Sequence, residues 1–387
     1  MASSRVAATS DAMGGYLDEC RVLALDEISH QMTANVVSPY LSELILDYPL
    51  RGGKGLRPAL AIAMCRALGG SLDAIVPTAA ILELYHNAFL IHDDVEDEST
   101  SRRGRPTLHL DHGVPIAVNV GDAMLCLTLP TLIQNTERLG LGPALRILDV
   151  VADMTRHSVD GQATELRWIR DNSWSLSDDD YLDMVVEKTG WYSFISPLQI
   201  GAIAAGVDQD RVDALVQFGA NVAISFQITD DVLNLDGALD GYGYGKEYAG
   251  DLWEGKRTLP LLHAFRSATA DEQRLASAIL ARPRPNPSDG SVSRRIALLV
   301  GDGRLDDDVA AELLDEIHGT RTPKRPDDVE FLRDLIDRYG GIDQAMAVAH
   351  RHADHALEIF DSWDWIEPSQ HTAVLRGIVE YVHRRRA

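Results

Sequence analysis

The chain is poor in cysteine and short of positive charge. Cys20, Cys65 and Cys126 are its only thiols in 387 residues, too scattered for a disulfide framework or a zinc-binding spacing. A reducing, cytoplasmic setting is the expectation. Thirty-six Lys and Arg face 59 Asp and Glu, a formal net charge of −23, and so acidic a surface repels phosphate backbones and argues against nucleic-acid binding. No uninterrupted apolar run approaches the ~18 residues that a membrane span requires. The opening residues Met1-Ala2-Ser3-Ser4-Arg5 lack the apolar stretch of a secretory signal, so export is not expected. No Gly-Lys-Ser/Thr phosphate loop occurs, and no Ser-His-Asp or Cys-His constellation is evident.

What the chain has instead is helical periodicity. Apolar residues recur at helix spacing over Leu56 to Leu68, Ile75 to Ile91, Ile116 to Leu132, Ala144 to Thr164, Tyr181 to Ala205, Val212 to Leu235, Leu259 to Ser267, Glu330 to Leu357 and Thr372 to Val382, which predicts an all-α fold. Caps such as Ser177 and stops such as Gly69-Gly70, Gly206 and Gly340-Gly341 punctuate it. Residues 1–12 are expected to be disordered and 13–387 to form one domain. The segment 282–326, with Pro283, Pro285 and Pro287 at its start, reads as a surface insertion.

Two acidic clusters share one spacing: Asp93-Asp94-Val95-Glu96-Asp97 and Asp230-Asp231-Val232-Leu233-Asn234. On a helix, positions one and five of each lie on one face, so Asp93 stands over Asp97 and Asp230 over Asn234. Either cluster alone reads equally well as a solvated acidic face. Two matched clusters after apolar helix point to one divided cation site, and hard oxygen donors without clustered His or Cys point to Mg²⁺ shared with substrate phosphates. Cations flank both. Gly52-Gly53-Lys54-Gly55-Leu56-Arg57-Pro58 places Lys54 and Arg57 at a helix start, where free N–H groups also favour an anion. Ser101-Arg102-Arg103-Gly104-Arg105-Pro106 follows the first cluster with forks suited to phosphate. Lys246, Asp251 and Lys256 follow the second on a glycine-rich loop.

These motifs, in this order from Arg51 to Pro260 and with the basic end Tyr381-Val382-His383-Arg384-Arg385-Arg386, resemble the trans-prenyltransferases, the isoprenyl diphosphate synthases, and geranylgeranyl diphosphate synthases above all. The resemblance implies the isoprenoid synthase fold, a homodimer whose core helices surround a deep central cavity with the aspartate clusters at its mouth. It implies that Asp93, Asp94, Asp97, Asp230 and Asp231 bind several Mg²⁺ ions on an allylic diphosphate. Arg102, Lys188, Thr189, Gln227, Lys246 and Lys256 would hold that diphosphate, while Lys54, Arg57, His86 and Arg103 would hold isopentenyl diphosphate. Asp93, Asp94, Lys188, Asp230 and Lys246 would carry the catalysis. Asn234 departs from the final aspartate of many second clusters, and Glu165 stands where relatives carry an aspartate after Gly161-Gln162.

The chemistry suits these residue types. Ionising an allylic diphosphate leaves a resonance-stabilised cation, so the leaving group needs concentrated positive charge and the cavity needs walls without nucleophiles. Chain length should depend on Ala88 and Phe89, about one turn (~6 Å) below Asp93. One small and one bulky residue there imply a twenty-carbon product; a farnesyl or longer-chain synthase and a terpene cyclase on the same scaffold are the alternatives. Lys54, Arg57 and Arg103 speak against a cyclase, which has no second diphosphate to hold.

Overall fold

Helix α4 (Leu72–Glu96) positions the first aspartate cluster. It starts where the Ser71 hydroxyl accepts the Ala74 N–H at 3.2 Å, and it ends on Asp97, whose N–H bonds the Asp93 carbonyl at 2.8 Å. Between the caps nearly every residue from Ile75 to Ala88 is buried, so α4 is the central rod of an all-α fold. The computed structural model describes residues 2–235, 248–285, 295–296, 298–300, 302, 304–318 and 323–384. The other helices are, in chain order, α1 (Ala2–Ala34), α2 (Pro39–Leu50), α3 (Leu56–Ala67), α5 (Leu108–His112), α6 (Val114–Arg138), α7 (Leu141–Arg170), α8 (Asp178–Val185), α9 (Ser196–Ala204) and α10 (Gln209–Leu235). Then come α11 (Gly250–Glu254), α12 (Leu259–Ser267), α13 (Ala270–Leu280), α14 (Asp307–His318), α15 (Pro326–Arg338), α16 (Gly341–Asp361) and α17 (Gln370–Arg384). The one sheet among the described residues is a two-residue antiparallel hairpin, β1 (Ser101–Arg102) with β2 (Arg105–Pro106).

The all-α expectation holds, with instructive differences. Helix α1 begins at Ala2, where the sequence reading expected disorder through residue 12. The run from Glu330 to Leu357, read as one helix, breaks at Tyr339-Gly340 into α15 and α16. The run from Tyr181 to Ala205 divides into α8, a π-helical stretch Val186–Ile195, and α9. Pro197 accounts for part of this: it has no N–H for the carbonyl four residues back, and its ring crowds that carbonyl, so an α-helical ladder cannot run through 193–197. Wider i→i+5 turns absorb the mismatch, as they often do at functional sites.

The π-helical stretch presses against α7 and α10. A Cβ on Gly161 of α7 would lie 2.2 Å from the Lys188 nitrogen and 2.6 Å from its Cα. Only a glycine lets the two backbones approach this closely. The main core on the other side joins Ile62, Met64, Ile81, Leu82, Phe194, Leu198 and Phe218, all essentially dry. Gly161→Ala should therefore cost about 1–3 kcal/mol through overpacking and push Lys188 out of place; urea denaturation and turnover measure the two effects separately.

Candidate active site

Consecutive residues on a helix point about 100° apart, so the two aspartates of each Asp-Asp pair cannot face the same way. In α4, Asp93 and Asp97 face a recess, whereas Asp94 is fully buried. Its carboxylate takes the Tyr48 hydroxyl at 2.7 Å, the Arg102 Nε at 3.1 Å, and a second, shorter bond from the same guanidinium. The second cluster repeats this division. Asp231 on α10 is buried and accepts the Tyr181 hydroxyl at 2.6 Å and the Gln227 amide at 2.8 Å. Each second aspartate, expected to hold metal, is thus tied to a tyrosine from a neighbouring helix. Burial is what pushes the Asp231 carboxyl up to about 8, with Asp251 and Asp230 adding to it against the two donors. Asn234 ends the second cluster by fixing backbone: its Oδ1 accepts the Asp251 N–H at 3.1 Å.

Lysines fill the recess. Lys188 reaches Glu165 at 2.5 Å and Asp93 at 3.3 Å. Lys256 reaches Asp97 at 2.6 Å and Glu254 at 2.8 Å. Burial would lower both ammonium groups, but the surrounding carboxylates outweigh it and hold both above the ordinary lysine value. Asp97 is raised chiefly by burial, with Asp93 and Glu254 opposing Lys256. The next residue of the π-helical stretch, Thr189, donates to Gln227 at 3.1 Å, and Gln227 holds Asp231. Adjacent residues of one segment therefore connect the two clusters.

A second group lies around His86. The hairpin turn has both Arg103 (φ 53°) and Gly104 (φ 74°) in the left-handed region, the signature of a tight type I′ connection. It sends Arg102 to Asp94 and Arg103 to the other side, where its guanidinium donates to the Tyr48 carbonyl at 2.9 Å and lies 3.0 Å from where a Gly53 Cβ would be. Arg57 donates to Ser193 at 2.7 Å and stacks its guanidinium over Tyr192 at 4.6 Å. Lys54 meets the Tyr381 hydroxyl at 2.5 Å. His86 is buried, and desolvation first, then Arg57, Arg103 and Arg102, hold its imidazole well below the usual range. Its Nδ1 and the Arg57 Nε are buried without hydrogen-bond partners. Clustered cations with unsatisfied polar atoms are the electrostatics of a site built for an anion.

The structure thus brings together Arg57, His86 and Arg103 on one side and Asp93, Asp97, Lys188 and Lys256 on the other, while the Lys54 side chain is directed to Tyr381. Lys246 lies outside the described residues. Phe89 packs edge-on to Tyr85 (5.8 Å) and Tyr192 (5.4 Å), whereas Ala88 packs in a separate cluster with Leu84, Val120 and Met124. Tyr48, Tyr181, Tyr192, Glu254 and Arg284 were missed from sequence. The first two sit far from any motif, and only their burial against an acidic partner marks them. Among the described residues no three Asp, Glu, His or Cys side chains enclose a cation by themselves. The hard carboxylate donors fit Mg²⁺ nonetheless, since that ion keeps waters and takes much of its shell from substrate phosphates.

An all-helical scaffold with paired aspartate clusters beside a recess and a separate group of buried cations is the arrangement of a prenyltransferase. The polyprenyl synthetase family model matches residues 38–294, and the chain belongs to that family. It is 30% identical over 260 residues to a geranylgeranyl diphosphate synthase of Sulfolobus acidocaldarius, covering 67% of this chain and 77% of the relative. It is 31% identical over 261 residues to the octaprenyl diphosphate synthase of Escherichia coli, covering 65% and 77%. Its fold matches a Caulobacter crescentus polyprenyl synthase complexed with calcium and isoprenyl diphosphate, with a TM-score of 0.74 and 26% identity over 97% of this chain and 98% of that one.

The Asp231 environment makes stability depend on pH. A carboxyl whose folded pKa is raised to about 8 keeps its proton in the folded state while the unfolded chain has lost it, so this contribution is present at low pH and lost as pH rises toward 8. In metal-free protein the slope from this group approaches ~1.4 kcal/mol per pH unit between about pH 5 and 7. Asp231→Asn should flatten it, as chemical denaturation across that range will show.

Proposed function

We propose that the chain condenses isopentenyl diphosphate with allylic diphosphates and makes geranylgeranyl diphosphate as its main product. The observation that carries the prenyl-transfer reading is the pairing of two charged groups. One combines cleft-facing carboxylates with Lys188 and Lys256; the other gathers Arg57 and Arg103 around a neutral His86, where the His86 Nδ1 and the Arg57 Nε are buried without partners. Asp93, Asp97 and Asp230 would hold Mg²⁺, which when bound supplies positive charge to the diphosphate leaving group. Lys188 and Lys256 hold the allylic diphosphate once it replaces their present carboxylate partners, and Arg102 reaches it while staying bonded to Asp94. Asp94 and Asp231, held by Tyr48 and Tyr181, fix the pitch of their helices. The second group orients isopentenyl diphosphate so that its double bond meets the allylic carbon, and the released pyrophosphate accepts the proton lost from the product.

Phe89, Tyr85 and Tyr192 form an aromatic wall one to two helical turns below Asp93, about 6–12 Å deep. That depth supports a short chain and makes Phe89 the limiting residue. The names of the relatives span geranylgeranyl, geranylfarnesyl and octaprenyl products, so kinship leaves the length open, and the proposed length rests on this wall. Incubation with labelled isopentenyl diphosphate and each allylic starter should yield labelled twenty-carbon diphosphate; the absence of label from any elongated product would remove the synthase reading. Phe89→Ala should lengthen the product by at least one unit in the same assay.

We further infer a homodimer. Helix α6 is long and apolar enough to cross a membrane by composition, as is α4, yet α4's most apolar stretch is 78% buried inside the fold and that of α6 only 44%. The uncovered side of α6 and α7 carries Leu129, Ile133, Leu141, Leu145 and Leu148, an apolar face of the kind a second copy covers. Light scattering should report twice the 42.5 kDa chain mass, and Ile133→Glu should return it to the single value. We propose a cytoplasmic setting as well, which the three unpaired cysteines support.

A further inference from the structure

The hairpin of β1 and β2 sends one arginine to each charged group, yet its strands are only two residues long. A ribbon this short has no stability of its own. Its turn is strained as well, since Arg103 holds φ at 53° without being a glycine, a conformation that persists only where the surroundings enforce it. The hairpin is therefore placed from outside. β1 is anchored by the Arg102 guanidinium on Asp94. β2 is anchored by Arg51, the residue that follows the last turn of α2. The Arg51 Nη1 donates to the Pro106 carbonyl at 2.6 Å and to the Arg102 carbonyl at 3.4 Å, one on each side of the turn. Its Nε donates to one Asp47 oxygen at 2.9 Å, and its Nη2 makes a shorter bond to the same atom. The other Asp47 oxygen pairs with Arg105 at 3.1 Å.

We propose that Arg51 is the positioning residue for Arg103, and through it for the isopentenyl diphosphate site. Arg51 does not meet the ligand itself: all three of its guanidinium nitrogens are bonded to protein, and its side chain is 1% exposed. What it fixes are the carbonyls that bracket the strained turn. The same end of α2 receives the Arg103 side chain, because the Tyr48 carbonyl accepts its guanidinium at 2.9 Å while the Tyr48 ring lies 4.5 Å beneath that of Arg51. The turn's backbone and the Arg103 fork are thus held from one place. A fork is needed for this, since a single ammonium or amide cannot reach Asp47 and the hairpin carbonyls together. Arg102 does not depend on Arg51, because Asp94 holds it from the opposite side.

This inference rests on the reading that Arg103 holds isopentenyl diphosphate, and a binding cycle separates the two. Isopentenyl diphosphate is titrated calorimetrically into the full chain, into Arg51→Gln, into Arg103→Gln and into the double variant. Geranyl diphosphate with Mg²⁺ is the second titrant. Arg103→Gln should weaken isopentenyl diphosphate binding about tenfold or more, as loss of a charge-assisted contact does. Arg51→Gln should weaken it about fivefold, and the double variant should bind no more weakly than Arg103→Gln alone, the non-additivity expected of a residue that acts through another. Affinity of Arg51→Gln for geranyl diphosphate should stay within twofold of the wild type. An unchanged isopentenyl diphosphate affinity in Arg51→Gln, losses that multiply in the double variant, or an equal loss for both titrants would overturn the proposal, the last reducing Arg51 to a general brace. Should Arg51→Gln melt early, Asp47→Asn releases the same guanidinium and is read by the same cycle with Arg103→Gln. Wild-type affinity in Arg103→Gln would instead sink the reading of the isopentenyl site, and the proposal with it.

Discussion

The structure depends on keeping several carboxylates close together without letting them repel the helices apart. Asp93, Asp97, Glu165, Asp251 and Glu254 crowd one recess, and Lys188 and Lys256 neutralise them across helices that are distant in sequence. Like charges at this spacing destabilise a bare helix, so α4 can end in an acidic cluster only because the π-helical stretch and the chain after α11 bring ammonium groups to it. Such buried pairs contribute little net stability, because desolvation offsets the attraction. What they contribute is a preformed, exchangeable charge pattern. On the proposed function, cations that now rest on carboxylates would turn to a diphosphate once metal takes the carboxylates.

The π-helical stretch makes this exchange common to both clusters. Lys188 touches Asp93, while Thr189 works through Gln227 on Asp231. A regular α-helix through Val186–Ile195 would change the direction of one residue relative to the other. The closeness of Gly161 to the Lys188 backbone fixes the local path, and the tyrosine ties on Asp94 and Asp231 fix the pitch of α4 and α10 against it. Pyrophosphate bound between the clusters would accordingly feel both at once.

Much of this was legible in the sequence. Period 3.6 marked most of the long helices, and the i,i+4 spacing put Asp93 and Asp97 on one face, where the structure has them. The lysines and arginines on glycine-rich loops were found because such loops interrupt an otherwise periodic pattern. What the sequence hid is long-range and geometric. Nothing local distinguishes Asp93 from Asp94; their opposite roles follow from Tyr48, 46 positions away in the chain, and from Arg102. The π turns leave only Pro197 as a trace. Arg284 was hidden by its setting, since proline-rich punctuation marks a loop without saying which of its side chains point inward.

The central claim is that the two aspartate clusters serve one diphosphate. Calorimetric titration of pyrophosphate in the presence of Mg²⁺ into Asp93→Ala, Asp230→Ala and the double variant tests it most directly. One shared site predicts that each single variant loses most of the affinity and that the double variant is scarcely worse than either. An Asp230→Ala protein that binds pyrophosphate as tightly as the wild type would contradict it.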